Sequence, residues 1–315
     1  MPVRTAPGQA LLNRKPAARR AAFARADGAG ASCKNDKNAK KPLKNSKKPL
    51  KNALKTGKKR IKKQNGGKGE SSVRIKAIVT YDGTAYGGWQ LQKNAPSIQG
   101  ELEKVLFSLC GHRIPVQSAG RTDAGVHALA MPVHFDIETS VPAEKLPFVF
   151  NRALPRDIRM VSACRCEGFH ARFDAKGKTY RYAVWNAPQM TALERDRCMH
   201  FPYRLELEPM RRAAALLEGK HDFAAFCASG AQTRTTVRTV KSVEITGQPG
   251  GMIYFTVTGE GFLYNMVRII AGTLLSVGNG RMEPEQVSRA LLSGRRTDAG
   301  FTAEPQGLTL MEVYY

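Results

Sequence analysis

Ala119-Gly-Arg-Thr-Asp-Ala-Gly-Val-His-Ala128 is the stretch on which the reading of this chain turns. Asp123 stands among small residues, the guanidinium of Arg121 lies two positions before it, and Gly120 and Gly125 bracket the pair. Residues 114–118 read as a short strand and residues 133–137 alternate like another. The spacing predicts Asp123 on a loop between strands, where a rigid scaffold can hold a reactive group. The glycines let backbone, and so a substrate, approach closely. No Ser/His pairing and no metal-ligand spacing stands beside the acid. A lone carboxylate next to an arginine suggests a nucleophile or base acting on an anionic polymer. The alternative is a turn aspartate capping local amides, the commoner fate of Asp beside Gly.

Outward from this stretch, residues 73–81 alternate and end at the turn signal Asp82-Gly83. Ser97 is placed to cap a helix in which Ile98, Leu102, Val105, Leu106 and Leu109 form one apolar stripe. A helix near 143–153 and a strand near 158–163 follow. The second half reads as a strand at 178–185, a helix at 208–217, strands at 236–246 and 252–258, helices at 262–277 and 284–292, and a last strand at 308–314. Mixed strands and helices with short links predict an α+β layered protein.

Three further features bear on chemistry. Tyr180, Tyr182 and Val184 share one face of an alternating strand, as core aromatics or as a surface for a base. Arg268 is the only charge in the apolar run 262–277. A helix this apolar is mostly buried, so its arginine either meets an anion or snorkels to the surface. A second Arg-Thr-Asp-Ala-Gly stands at 296–300 without the Val-His-Ala continuation. An acid-protease dyad would need two carboxylates sharing a proton, with hydroxyl neighbours to orient them. Here Ala follows each acid and a cationic Arg precedes it, so Asp298 reads as an exposed loop residue.

The 315 residues suffice for one large or two small domains, and 42% are hydrophobic. The net charge of +24 is uneven. Residues 1–70 hold 21 Lys and Arg against 3 Asp and Glu, a net of +18, which leaves +6 for the remainder. Within that extension Lys40-Lys-Pro-Leu-Lys-Asn-Ser46 is repeated almost at once as Lys47-Lys-Pro-Leu-Lys-Asn-Ala53. Lysine repulsion and the lack of an apolar face predict a disordered basic extension over 1–70, able to contact phosphates. Its first 32 residues, rich in Arg and Ala, also have the composition of an organellar transit peptide. Six scattered cysteines, Cys164 and Cys166 the only close pair, do not make a zinc site. No run of 18 apolar residues exists.

Other motifs follow in order: Tyr81-Asp-Gly-Thr-Ala-Tyr-Gly-Gly-Trp-Gln90, Ser97-Ile-Gln-Gly-Glu-Leu-Glu103, Phe169-His-Ala-Arg-Phe173, Tyr180-Arg-Tyr182, Met266-Val-Arg268 and Gly307-Leu308. With the ten-residue stretch they resemble the tRNA pseudouridine synthase A family, over roughly residues 73–315. The resemblance implies two similar α+β halves, 71–170 and 171–315, which share a central, mostly antiparallel sheet with flanking helices and an RNA-binding cleft between them. It implies an isomerase that converts uridine to pseudouridine in the anticodon arm of tRNA, at positions 38–40, as a homodimer. The compact body resembles bacterial members, which favours a cytoplasmic location. The reaction breaks the C1′–N1 bond, rotates the uracil and rejoins it through C5. It involves no redox change, so no cofactor and no metal are expected.

Within that resemblance Asp123 matches the catalytic acid and Arg268 the cation that pairs with it, keeping it ionised and aimed. Tyr180 matches the tyrosine that stacks on the target base, and Tyr182 is a core aromatic. Arg121 matches the arginine that enters the space of the extruded nucleotide, and Leu308 packs at the pocket floor. His127 and His170 read as structural or phosphate contacts. Residues 303–307, where an acid and a Gln replace residues frequent in the family, are expected at the pocket rim. The rival reading is a noncatalytic RNA-binding or ribosome-assembly protein that works through its basic extension. Binding alone needs no pocket carboxylate, and Asp123, Tyr180 and Arg268 together argue against it.

Overall fold

The computed structural model describes residues 72–231 and 233–315. The basic extension expected over 1–70 lies outside the described residues. The first part of the chain forms β1 (Val73–Tyr81), α1 (Ile98–Cys110), β2 (Gln117–Ser118), β3 (His127–Ile137), α2 (Leu146–Ala153) and β4 (Ile158–Arg165). Next come β5 (Gly177–Trp185), β6 (Met199–His200), α3 (Leu207–Ala215), β7 (Gly219–Asp222), β8 (Val237–Gly247) and β9 (Met252–Gly259). The chain closes with α4 (Met266–Gly278), α5 (Gln286–Ser293) and β10 (Leu308–Tyr314). Among the described residues no helix is long and apolar enough to cross a membrane.

All ten strands join one sheet, whose main path runs β4-β1-β3-β10-β5-β9-β8-β7. The pairings are antiparallel except for β3 with β10 and β5 with β6. The α+β class and the mostly antiparallel sheet expected from the sequence are therefore the observed ones. The last strand lies between β3 and β5, pairing Leu310 with Ala128 on one side and with Tyr180 on the other. β3, which begins with the last residues of the 119–128 stretch, and the strand carrying Tyr180 are thus both tied to β10.

Local chemistry explains most boundaries. Ser97 has extended backbone and its Oγ accepts the Gly100 amide at 3.2 Å, while Gly111 closes α1 in the left-handed region at φ 77°. The α1 stripe is buried at Ile98, Leu102, Val105 and Leu106, but Leu109 is exposed on the last turn. Residues 114–116, expected in a strand, are not one. The amide of Val116 donates to Glu103 and its carbonyl accepts from Gln99, so α1 side chains take the place of a neighbouring strand. β3 begins six residues earlier than the alternation suggested, because Pro132 within it obscures the pattern.

The expected helix at 262–277 starts only at Met266. Asn265 sits at φ 58°, the single non-glycine residue with positive φ among those described, and breaks the helical path. Residues 262–265 are freed to form a wall rather than a turn of helix. α4 is buried along nearly its whole length, Arg268 being its least enclosed residue. Its close approach to the 299–303 segment requires Gly272, where a Cβ would meet the Phe301 carbonyl oxygen far inside contact distance.

Gly272→Ala should therefore lose about 1–3 kcal/mol of stability through overpacking, despite the better helix propensity of alanine. Gly251→Ala, whose Cβ would meet only the Gln248 oxygen at 3.9 Å, should change little. Urea denaturation midpoints of the two variants provide the comparison.

Candidate active site

The loop that carries Asp123 is held from four directions. Trp89 donates its amide to the Thr122 carbonyl at 3.0 Å, and the Tyr81 hydroxyl bonds the Thr122 hydroxyl at 2.8 Å. Gly88, at φ 103°, passes so close that a Cβ would lie 2.6 Å from the Thr122 oxygen. Lys178 Nζ donates to the Ala119 carbonyl at 2.9 Å. Pro305 packs against Gly125, itself at φ 77°. The loop is rigid because its backbone is bound on both sides of the acid, not through the acid itself.

Asp123 is left free by this arrangement. Among the described residues no donor hydrogen-bonds its carboxylate, and its nearest charge is Arg268 Nη1, 3.8 Å from Oδ2. The side chains are 29% and 15% exposed, respectively. Burial pushes the Asp123 carboxyl above the usual carboxylate range, and the positive charge of Arg268 pulls it part of the way back. Arg268 is the partner anticipated from the sequence, and its charge offsets only part of the desolvation. Its hydrogen bonds go elsewhere: Nε donates to the Ala303 carbonyl at 2.7 Å and Nη1 to Asn265 Oδ1 at 2.9 Å. The left-handed Asn265 thus starts α4 and also aims the arginine one turn later.

The second pentapeptide has the opposite environment. Asp298 ends a short 3-10 turn and accepts hydrogen bonds from Ser293 Oγ at 2.7 Å and Arg295 Nε at 3.1 Å. These bonds, Ser293 foremost, hold its carboxyl below the usual range. It is partly exposed, and its oxygens are taken by neighbouring side chains.

A cavity of about 1070 Å³ opens over the loop, lined by Arg121, Asp123, Lys178, Tyr180, Phe262 and Leu308 among others. Arg121 is exposed and makes no hydrogen bond among the described residues. Tyr180 is 8% exposed and meets Phe262 edge-on, with ring centroids 5.3 Å apart. Burial, aided by the negative charge of Asp123, keeps its phenol un-ionised. Tyr182 turns into the core, stacks near Phe255 and donates to the Glu304 carbonyl. Four of the five site residues taken from the sequence line one cavity, and Arg268 stands directly behind Asp123.

One expectation about the surroundings changes, and the structural reading of the histidines holds. Residues 303–306 are not a rim but a strap behind the loop: Ala303 O accepts from Arg268, Glu304 O from Tyr182, and Gln306 O from His127 Nε2 at 3.1 Å. His127 Nδ1 accepts the Gly83 amide at 3.0 Å, which makes this histidine structural. His170 likewise accepts the amides of Arg172 and Phe173 through Nδ1. Sequence reasoning missed Asn265 and Lys178. An Asn before an apolar helix and a Lys two positions before Tyr180 on an alternating strand were the available signals.

A family profile described as tRNA pseudouridine synthase matches residues 77–174 and 213–315. The tRNA pseudouridine synthase A of Ruminiclostridium cellulolyticum is 43% identical over 243 residues, covering 77% of this chain and 99% of that protein. That of Bacillus subtilis is 45% identical over 246 residues, covering 77% and 99%. That of Acetivibrio thermocellus is 42% identical over 242 residues, covering 76% and 99%. The chain belongs to the tRNA pseudouridine synthase A family and is an isomerase.

The proton affinity of Asp123 has a thermodynamic consequence. The folded state holds this proton more tightly than the unfolded chain, so the contribution to stability is present at low pH. It is lost as pH rises through the raised pKa. Asp123→Asn cannot ionise and escapes that loss. Its urea midpoint should rise relative to wild type between about pH 4 and pH 7, with the two converging at the acid end.

Proposed function

We propose that this enzyme isomerises uridines of the tRNA anticodon arm, positions 38–40, with Asp123 as the nucleophile. The observation that carries this reading is the carboxylate that no donor engages. A turn aspartate accepts local amides or hydroxyls, as Asp298 does; Asp123 instead faces a cavity with its oxygens unspent. A free carboxylate beside a tyrosine ring is what covalent chemistry on a base or its sugar requires.

The reaction sets three demands on the chain's own residues. The acid must be ionised to attack, which Arg268 favours by its charge at 3.8 Å. The freed uracil must be retained while it rotates, and the Tyr180 ring, braced by Phe262, supplies a stacking surface. The target nucleotide must leave its stack, and the unengaged Arg121 at the cavity mouth is the side chain to fill the vacated space. Leu308 closes the floor. The wall draws on both sides of residue 170, consistent with a cleft between halves 71–170 and 171–315. A homodimer and a cytoplasmic location belong to the same reading and rest on the family resemblance.

Asp123→Asn should abolish pseudouridine formation, followed as tritium release from 5-³H-uridine tRNA, while tRNA still binds. Asp298→Asn should retain activity, and the reverse pattern would sink the assignment. In Arg268→Ala, burial acts on Asp123 without its opposing charge. The acid limb of kcat/KM, which reports free-enzyme ionisation, should then move to higher pH. A limb left in place would mean that the acid setting it is not Asp123.

A further inference from the structure

Three cations line the cavity, Arg121, Arg172 and Lys178, against one acid, Asp123, whose counter-charge is Arg268. Arg121 and Arg172 occupy exposed positions where water screens them. Lys178 is different. It alternates with Tyr180 on one face of β5, and its chain runs beneath the loop, where a Cβ on Gly120 would lie 2.7 Å from Nζ. An ammonium has three N–H donors. One goes to the Ala119 carbonyl at 2.9 Å, and among the described residues no carboxylate forms an ion pair with it. A carbonyl satisfies one proton but does not neutralise the charge. Burial, and then repulsion from Arg172, push the Lys178 pKa down to about 8. A shielded cation is costly without a counter-ion, and the cavity side is where its remaining donors can find one.

We propose that Lys178, together with Arg172, forms a subsite for one backbone phosphate of the substrate RNA, beside the uridine that meets Tyr180. Residues i and i+2 of a strand stand about 7 Å apart, so a single nucleotide can engage Tyr180 with its base and Lys178 with its phosphate. An anion between Lys178 and Arg172 would relieve their mutual repulsion and restore the lysine's hold on its proton. Binding to this phosphate would fix the register of the strand against Asp123. The inference rests on the RNA-modifying function proposed above and assigns one contact within it.

The test uses anticodon-arm RNAs with a single neutral methylphosphonate linkage placed in turn at each position around the target uridine. Turnover is followed by tritium release for the wild type, Lys178→Arg, Lys178→Gln and Arg172→Gln. One linkage should raise KM about ten-fold for wild type and Lys178→Arg, the size of a charge-assisted contact. For Lys178→Gln the KM should already be raised and should not rise again with that linkage. Arg172→Gln, which leaves the Ala119 contact untouched, should lose sensitivity to the same linkage and stands in if Lys178→Gln does not fold. Neutral linkages that penalise the variants as much as the wild type would overturn the subsite but leave the proposed function standing. So would a Lys178→Gln enzyme with reduced kcat and unchanged KM, which would make the lysine a brace for the loop. A wild type that forms pseudouridine on none of the RNAs overturns both readings.

Discussion

Three main-chain carbonyls in a four-residue strap set the geometry on which this site depends. Ala303 O binds Arg268 of α4, Glu304 O binds Tyr182 of β5, and Gln306 O binds His127 of β3. Ala303 also returns its amide to the Arg268 carbonyl at 3.1 Å, and Pro305 backs Gly125. Elements separated by up to 179 residues in the chain are thereby fixed to one segment just before β10. Because Arg268 is held by the strap and by Asn265, it need not be held by Asp123. A charge 3.8 Å away biases the carboxylate without occupying its oxygens. Direct bidentate pairing would have stabilised the acid more and left less of it for a substrate.

The two Arg-Thr-Asp-Ala-Gly copies separate sequence from environment in one molecule. At 296–300 the acid finds Ser293 at the end of α5 and Arg295 just before its turn, and becomes a more stable anion. At 121–125 the flanking backbone is spoken for by Trp89, Gly125 by Tyr86 and Pro305, and no local hydroxyl or amide reaches the carboxylate. Identical five-residue chemistry therefore yields one acid with low proton affinity and one with high. What distinguishes Asp123 is what the fold withholds from it, so the pentapeptide alone does not set an acid's environment.

Legibility of the sequence follows the same division. Alternation in β1 and β5, the Ser97 cap and the apolar run of α4 report local physics, and each was readable. Arg268 was readable as well, since a lone charge on a buried helix needs an explanation. What failed depended on distant partners. Residues 114–116 have strand-like composition, yet their backbone is satisfied by Gln99 and Glu103, which no local window reveals. The strap at 303–306 looked like a rim because its importance lies in carbonyl oxygens, which every residue possesses. The start of α4 was placed too early because apolar periodicity continues through Phe262 and Leu263, while the break comes from the φ of a single Asn.

The cost of this arrangement falls on Asp123 and Lys178, and it falls with opposite signs. Burial raises the proton affinity of the acid and lowers that of the base, so each is pushed toward its neutral form. Both lie in one cavity wall, yet they are not partners: the charge that acts on Asp123 is Arg268, and the one that acts on Lys178 is Arg172. Had the two paired with each other, the cavity would be neutral at its centre and closed to an anionic strand. Their separation leaves an unengaged carboxylate under Tyr180 and a positive wall beside it. The sheet enforces this separation, because Lys178 and Tyr180 share a face of β5 while β10 sets that strand at a fixed register from β3 and its loop.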